Sequence, residues 1–174
     1  MGYKALFLDR DGVINKDKGY VYKKEDFEFI DGIFDLCQYF QNLGYLIFVV
    51  TNQSGIARKY YTQEQFEKLT QWMSQEFFKR NIIISKIYHC PHHPDITGEC
   101  LCRKPKSGMF FMAREEFDID LENSVMIGDK ESDIEAAMYA GIKQTYLFES
   151  NHLIKETKAT KILHNLGDIK DVYS

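Results

Sequence analysis

The sequence predicts an α/β fold: a mainly parallel sheet with helices on both faces. Short apolar runs, too brief for helices, alternate with stretches whose apolar residues recur at helical spacing. That is the pattern of successive βαβ units with right-handed crossovers. Three of the runs end in polar side chains: Asp9 with Asp11, Thr51 with Asn52, and Asp129. All three belong at the carboxyl edge, where an open parallel sheet binds its ligands.

The first run, Lys4 to Leu8, reads as a buried strand that stops at Asp9-Arg10-Asp11-Gly12. Asn15 to Glu28 is polar with interleaved aromatics and no sustained period, as expected of a functional loop. Ile33, Leu36, Cys37, Phe40 and Leu43 then follow helical spacing, with Asp31 as N-cap and Gly44 just beyond the end. Cys37 lies on that apolar stripe and is expected in the core. Tyr45 to Val50 is continuously apolar, the mark of a strand covered on both faces, and runs into Thr51-Asn52-Gln53-Ser54-Gly55. Thr62 and Gln65 form a capping box that opens a long helix with Phe66, Leu69, Met73 and Phe77 as its stripe and Trp72 flanking it. A third strand, Ile82 to Tyr88, leads into a cysteine-rich segment. A helix from Ser107 to Phe117, a strand from Ser124 to Ile127, a helix from Ser132 to Tyr139 and a strand from Thr145 to Phe148 follow. The tail has room for one short strand at Lys161 to Leu163 and one short helix at Ile169 to Tyr173.

A length of 174 residues suits a single domain over 1–174. With 44% hydrophobic and 28% charged residues the composition is ordinary for a globular chain, and a net charge of −4 offers no electrostatic footprint for nucleic acid. Neither a signal-peptide pattern nor an apolar stretch of membrane length is visible, so a cytoplasmic monomer without nucleic-acid or membrane partners is expected. Four cysteines in a reducing compartment suit thiols or metal ligands better than disulfides.

Side chains two apart on an extended segment point the same way, so Asp9 and Asp11 can address one small volume, and Gly12 lets the backbone turn sharply. Two carboxylates that close repel each other, and a hard divalent cation such as Mg²⁺ relieves the repulsion. Ordinary turn acids are the competing reading of this stretch. If the site takes a phosphate monoester, Asp9 can attack phosphorus while Asp11, protonated, donates to the leaving alcohol. Thr51 and Lys104 suit the charge on the equatorial oxygens, Asp129 completes the metal shell, and Asp133 supports it one helical turn on. Arg58 and Lys59, after the second strand, are candidates to meet a distal phosphate.

The order Asp9-x-Asp11-Gly12, Thr51, a downstream lysine and Gly128-Asp129-x-x-x-Asp133 resembles the signature motifs of haloacid-dehalogenase superfamily phosphatases. The longer strings Gly19-Tyr20-Val21, Thr51 to Arg58, Cys90-Pro91-His92-His93-Pro94, Cys100-x-Cys102-Arg103-Lys104-Pro105 and Gly128-Asp129-Lys130 resemble the D-glycero-D-manno-heptose 1,7-bisphosphate 7-phosphatase family. The resemblance covers nearly the whole chain, although the Cys90 to Cys100 connection is shorter than the family pattern. It implies a Rossmann-like fold without a large cap domain, hydrolysis of a phosphorylated sugar, Asp9 as nucleophile, Asp11 as general acid/base, and Thr51 and Lys104 as stabilisers of the phosphoryl group. It also implies Mg²⁺ on Asp9, the Asp11 carbonyl and Asp129, and substrate contacts from Asp17, Lys18, Gly19, Tyr20, Asn52, Gln53, Ser54, Arg103 and Lys130.

Cys90-x-His92 and Cys100-x-Cys102 form two pairs at the same spacing, able to close a tetrahedral Zn²⁺ site of three cysteines and one histidine, with His93 facing outward. Four protein ligands leave no open position, so this zinc is expected to be structural, pinning the loop that carries Arg103 and Lys104. Free thiols with incidental histidines are the alternative. Histidinol phosphate is the rival substrate, and a non-catalytic zinc-stabilised binding module is the rival from a different class.

Overall fold

A computed structural model of the chain describes residues 2–150, 153–154 and 156–173. Strands β1 (Ala5–Leu8), β2 (Leu46–Asn52), β3 (Ile84–Cys90), β4 (Val125–Gly128), β5 (Gln144–Phe148) and β6 (Lys161–Leu163) form one sheet in the order β3-β2-β1-β4-β5-β6. Every neighbouring pair is parallel. The chain builds outward from β1 to β3, then returns to place β4 on the other side of β1, so the order reverses between β1 and β4. Crossovers on the two sides of that point leave in opposite directions, which opens a crevice at the carboxyl ends of these strands.

Alternation along the strands divides the core in two. Leu6 and Leu8 of β1, Ile47 and Val49 of β2, and Val125 and Ile127 of β4 pack in one apolar layer, while Ala5, Phe7, Phe48, Val50 and Met126 pack in the other. Helices α1 (Ile33–Asn42) and α2 (Gln63–Phe78) cover the first layer. Helices α4 (Gly108–Phe117) and α5 (Glu131–Tyr139) cover the second. The apolar stripes of α1 and α2 are buried as their spacing predicts, Trp72 flanks them against Phe27 and Phe29, and Cys37 sits in the core, where burial pushes its thiol pKa far up. The capping box is formed: the Gln65 amide donates to Thr62 Oγ1 at 3.1 Å, and Gln65 Oε1 accepts from the Thr62 amide at 2.9 Å.

Several element ends differ from the sequence reading by a residue or two, and the start of α1 and the span of the third strand show why. Helix α1 is capped by Gly32 in a left-handed conformation (φ 88°), which turns the chain one residue after Asp31 and leaves the Asp31 carboxylate too early to cap. The third strand begins and ends two residues later than its apolar pattern suggests, because β2 runs on to Asn52 and the backbone through His89 and Cys90 pairs with Thr51 and Asn52. The first cysteine of the cysteine-rich segment is thereby anchored on the sheet. That segment also holds a single-turn helix, α3 (Pro94–Thr97), and the tail folds into β6 and a short α6 (Ile169–Val172). No helix among the described residues is long and apolar enough to cross a membrane.

Replacing Thr62 by Ala removes one half of the capping box and is expected to lower unfolding stability by about 1 kcal/mol, read as a lower urea midpoint with an unchanged m-value.

Candidate active site

Strand alternation and parallel pairing bring three acids to the crevice. Leu8 lies level with Ile127 of β4, and the Asp9 amide donates to the Ile127 carbonyl at 3.1 Å, so Asp9 and Asp129 emerge from adjacent strand ends. Asp133, on the first turn of α5, joins them, and carboxylate oxygens of Asp9, Asp129 and Asp133 lie within 4.8 Å of one another, all three residues buried. Two glycines make room for this: a Cβ at Gly12 would lie 2.0 Å from Asp129 Oδ2, and one at Gly128 would lie 2.3 Å from Asp133 Cβ.

Lys104 offsets part of that charge. Its Nζ donates to Asp9 Oδ1 at 2.9 Å and to the Val50 carbonyl at 2.8 Å, and it pairs with Asp133 Oδ1 at 2.6 Å. Burial pulls the ammonium down, but Asp133 and Asp9 outweigh burial and keep its pKa above the usual lysine value. The other Asp133 oxygen accepts the Asp129 and Lys130 amides, each at 3.1 Å. With both oxygens engaged, Asp133 serves to orient Lys104 and the Asp129 backbone.

The charge balance at Asp9 and Asp129 is left incomplete. Burial, then Asp133, push the Asp9 carboxyl up to about 6 despite Lys104, and burial, then Asp9 and Asp133, push Asp129 up to about 9. Asp129 Oδ1 is buried without a hydrogen-bond partner. An unpartnered carboxylate oxygen beside a second acid, in a cradle no Cβ can enter, fits a hard divalent cation.

Asp11 is held differently. Its carboxylate accepts from Arg10 Nη2 at 2.8 Å, Asn15 Nδ2 at 3.0 Å and Gln53 Nε2 at 3.0 Å. The same Gln53 nitrogen donates to Thr51 Oγ1 at 2.8 Å, and the Tyr61 hydroxyl donates to Gln53 Oε1, which fixes the orientation of the amide. The Arg10 guanidinium is fully buried, with Nη2 also donating to the Val21 carbonyl at 2.7 Å.

Asp9, Asp11, Lys104 and Asp133 line a cleft of about 580 Å³, while Asp129 is buried outside the lining. Asp17, Gly19, Tyr20, Asn52, Gln53, Ser54, Arg103 and Lys130, the expected substrate contacts, line the cleft too. Lys18 is the exception: it lies outside the lining and faces Glu28 at 3.7 Å, because the turn at Gly19 and Tyr20 carries the chain past it. Thr51 is buried and Lys59 is exposed, and neither lines the cleft; Arg58 does. Arg10, Asn15 and Tyr61 escape the sequence reading. Arg10 lies one residue from either acid, on the opposite side of an extended chain, and Asn15 and Tyr61 come from loops without periodicity.

The thiols converge as expected. Sulfurs of Cys90, Cys100 and Cys102 lie within 4.8 Å of one another, Cys90 Sγ 3.6 Å and Cys102 Sγ 3.8 Å from Cys100 Sγ. Burial raises the Cys100 thiol pKa, but the Arg103 and Cys102 amides, donating to its sulfur, outweigh burial and bring it below the usual value. The His92 amide donates likewise to Cys90, where burial still dominates and the thiol is raised. Amides aimed at sulfur suit thiolates holding a metal. The His92 imidazole does not join the trio at that spacing, and His93 turns inward to Arg58 instead of facing out.

A family model described as HAD-hydrolase-like matches residues 101–169. The chain is 53% identical to the D-glycero-alpha-D-manno-heptose-1,7-bisphosphate 7-phosphatase of Campylobacter jejuni over 99% of its own length and 97% of that protein's. It is 46% identical to the D-glycero-beta-D-manno-heptose-1,7-bisphosphate 7-phosphatase of Vibrio cholerae, over 97% and 95%. Among solved structures, the D,D-heptose 1,7-bisphosphate phosphatase of B. bronchiseptica, complexed with magnesium and phosphate, superposes with a TM-score of 0.84 at 26% identity, covering 97% of both chains. With identity of this order along its whole length, and with the acids, lysine and thiols gathered as described, the chain belongs to the heptose-1,7-bisphosphate 7-phosphatase family of HAD-like hydrolases.

Proposed function

We propose that this chain is a Mg²⁺-dependent phosphatase that removes the C7 phosphate of D-glycero-D-manno-heptose 1,7-bisphosphate through an aspartyl-phosphate on Asp9. The observation that carries the reading is the arrangement of Asp9, Asp129 and Lys104 at the β1/β4 switch point, where one oxygen of Asp9 is held by an ammonium and a buried oxygen of Asp129 is unpartnered. The names of the relatives supply the sugar. Asp9, Asp129 and the Asp11 carbonyl are the proposed holders of Mg²⁺. When bound, the ion supplies charge neutralisation between carboxylates and phosphoryl oxygens.

Each side chain then has a task. Asp9, aimed by its hydrogen bond to Lys104, forms the new P–O bond as the bond to the sugar oxygen breaks. Lys104 faces the charge that spreads over the equatorial oxygens, and Thr51, buried outside the cleft lining, is assigned to offer its hydroxyl to the same oxygens. Asp11, held by Arg10, Asn15 and Gln53, passes a proton to the leaving sugar oxygen and takes one from the water that hydrolyses the aspartyl-phosphate. Asn52 ties the halves of the site together: its side-chain oxygen accepts the Lys104 amide at 3.0 Å and its Nδ2 donates to the Lys104 carbonyl at 3.2 Å. We assign Zn²⁺ to Cys90, Cys100 and Cys102, with the fourth position to His92, two residues past Cys90. The ion then clamps the segment that places Arg103 and Lys104.

Asp9→Asn keeps the shape of the side chain and removes the nucleophile, so phosphate release from the bisphosphate is expected to fall by roughly a thousandfold or more. Retained turnover would defeat the mechanism, and a higher kcat/KM for histidinol phosphate than for either bisphosphate anomer would defeat the substrate.

The metal-free protein has a pH dependence of known sign. Asp9 and Asp129 have folded pKa values of about 6 and about 9 against an ordinary carboxylate value near 3.8, so protons on them stabilise the fold at low pH. That contribution is lost as pH rises through both values, and a cation takes the protons' place. Mg²⁺ is therefore expected to raise Tm more at pH 8 than at pH 5 by differential scanning fluorimetry.

Stripping zinc with a chelator, with the loss verified by metal analysis, is expected to raise KM and lower kcat together, because Arg103 and Lys104 lose their common support. Unchanged kinetics in the zinc-free protein would remove the assigned role.

A further inference from the structure

The cations of the cleft differ in character. The buried Lys104 is neutralised by Asp9 and Asp133. Arg58, Arg103 and Lys130, all less buried, line the same cleft, and among the described residues none of the three has a carboxylate partner. Uncompensated cations in a cleft of a protein with net charge −4 mark where a second anionic group is bound.

Arg58 is held there by a particular contact. Its Nη2 lies 2.9 Å from His93 Nε2, and its Nε is buried without a partner. A guanidinium has no acceptor, so the imidazole accepts on Nε2 and carries its proton on Nδ1. The Asp95 amide, 3.2 Å from Nδ1, competes for the single lone pair of a neutral imidazole. Charge assistance favours the shorter contact to Arg58, and in that tautomer the Asp95 amide gives up Nδ1 as its acceptor. Arg103 is tied to the neighbouring residue, its Nη1 donating to the His92 carbonyl at 3.4 Å. Consecutive residues just past Cys90 thus seat both guanidiniums. Lys59, by contrast, is exposed and outside the lining.

We infer that Arg58, oriented by His93, is the specificity-determining clamp for the second phosphate of the substrate, so that this site prefers sugar bisphosphates to sugar monophosphates. The inference rests on the sugar-bisphosphate reading above and adds to it the group that recognises the phosphate not being hydrolysed. His93 is a positioning residue: it meets no substrate, and its effect is carried through Arg58. The guanidinium nitrogens not engaged by His93 give a phosphate a planar partner that a lysine cannot replace.

The test compares kcat/KM for D-glycero-D-manno-heptose 1,7-bisphosphate with that for the 7-monophosphate of the same sugar, both with Mg²⁺ and with p-nitrophenyl phosphate as a sugar-free reference. In Arg58→Gln the bisphosphate-to-monophosphate ratio is expected to fall roughly ten- to a hundredfold, chiefly through KM for the bisphosphate. His93→Ala is expected to lower the same ratio in part, His93→Gln, whose amide oxygen can still accept from Arg58, to restore it, and the Arg58→Gln/His93→Ala double variant to be no worse than Arg58→Gln alone. An unchanged ratio in Arg58→Gln overturns the inference, as does a wild-type protein that does not distinguish the two sugars. A wild-type protein that cleaves p-nitrophenyl phosphate but neither sugar overturns the substrate reading itself, and the clamp with it.

Discussion

The structure depends on crowding buried carboxylates at one point of a parallel sheet. Asp9, Asp129 and Asp133 share a volume where water is scarce, and burial, with the neighbouring carboxylates, drives the first two toward their protonated forms. Lys104 answers for one pair of oxygens and no more. The remaining imbalance suits the site to the proposed cation, since the free energy lost by bringing acids together would be recovered by a divalent ion between them. Gly12 and Gly128 belong to the same constraint, for any side chain there would occupy the space the carboxylates need.

Because Lys104 must reach both Asp9 and Asp133, the segment carrying it has to be fixed relative to the sheet. Two devices do this. Asn52, at the end of β2, exchanges two hydrogen bonds with the Lys104 backbone, and Cys90, at the end of β3, gathers Cys100 and Cys102 four and two residues before the lysine. Both anchors sit on strands whose register is set by core packing, so the placement of one ammonium is inherited from the apolar layers of the sheet.

The polar groups around the cleft are graded by how firmly they are held. Asp11 is enclosed by three donors, one of them a fully buried arginine, which suits a group that must return to one position in both halves of a two-step reaction. The less buried part of the lining comes from loops, with Tyr20 in a left-handed conformation against Tyr60, and its cations Arg58, Arg103 and Lys130 have no carboxylate partner among the described residues. The reacting groups thus gather at strand ends and on the one loop tied to them, and much of the cleft mouth is left to loops that can differ without disturbing the core.

The amino-acid sequence by itself determined the α/β architecture, the covered faces of α1 and α2, the capping box at Thr62 and the convergence of Asp9, Thr51 and Asp129 on one sheet edge. These follow from period, length and strand-end position, which are local properties of the chain. Tertiary structure alone decided what depends on contacts between distant segments. Pairing with β2 drew the third strand out to Cys90, a left-handed glycine displaced Asp31 from the cap of α1, and the Gly19 turn moved Lys18 out of the cleft. Arg10, Asn15 and Tyr61 were illegible because the turn after β1 and the loop after β2, which have no sustained period, decide where their side chains go. His93 shows the limit most clearly: alternation from Cys90 and His92 points it outward, yet α3 and the guanidinium of Arg58, 35 positions earlier in the chain, turn it inward.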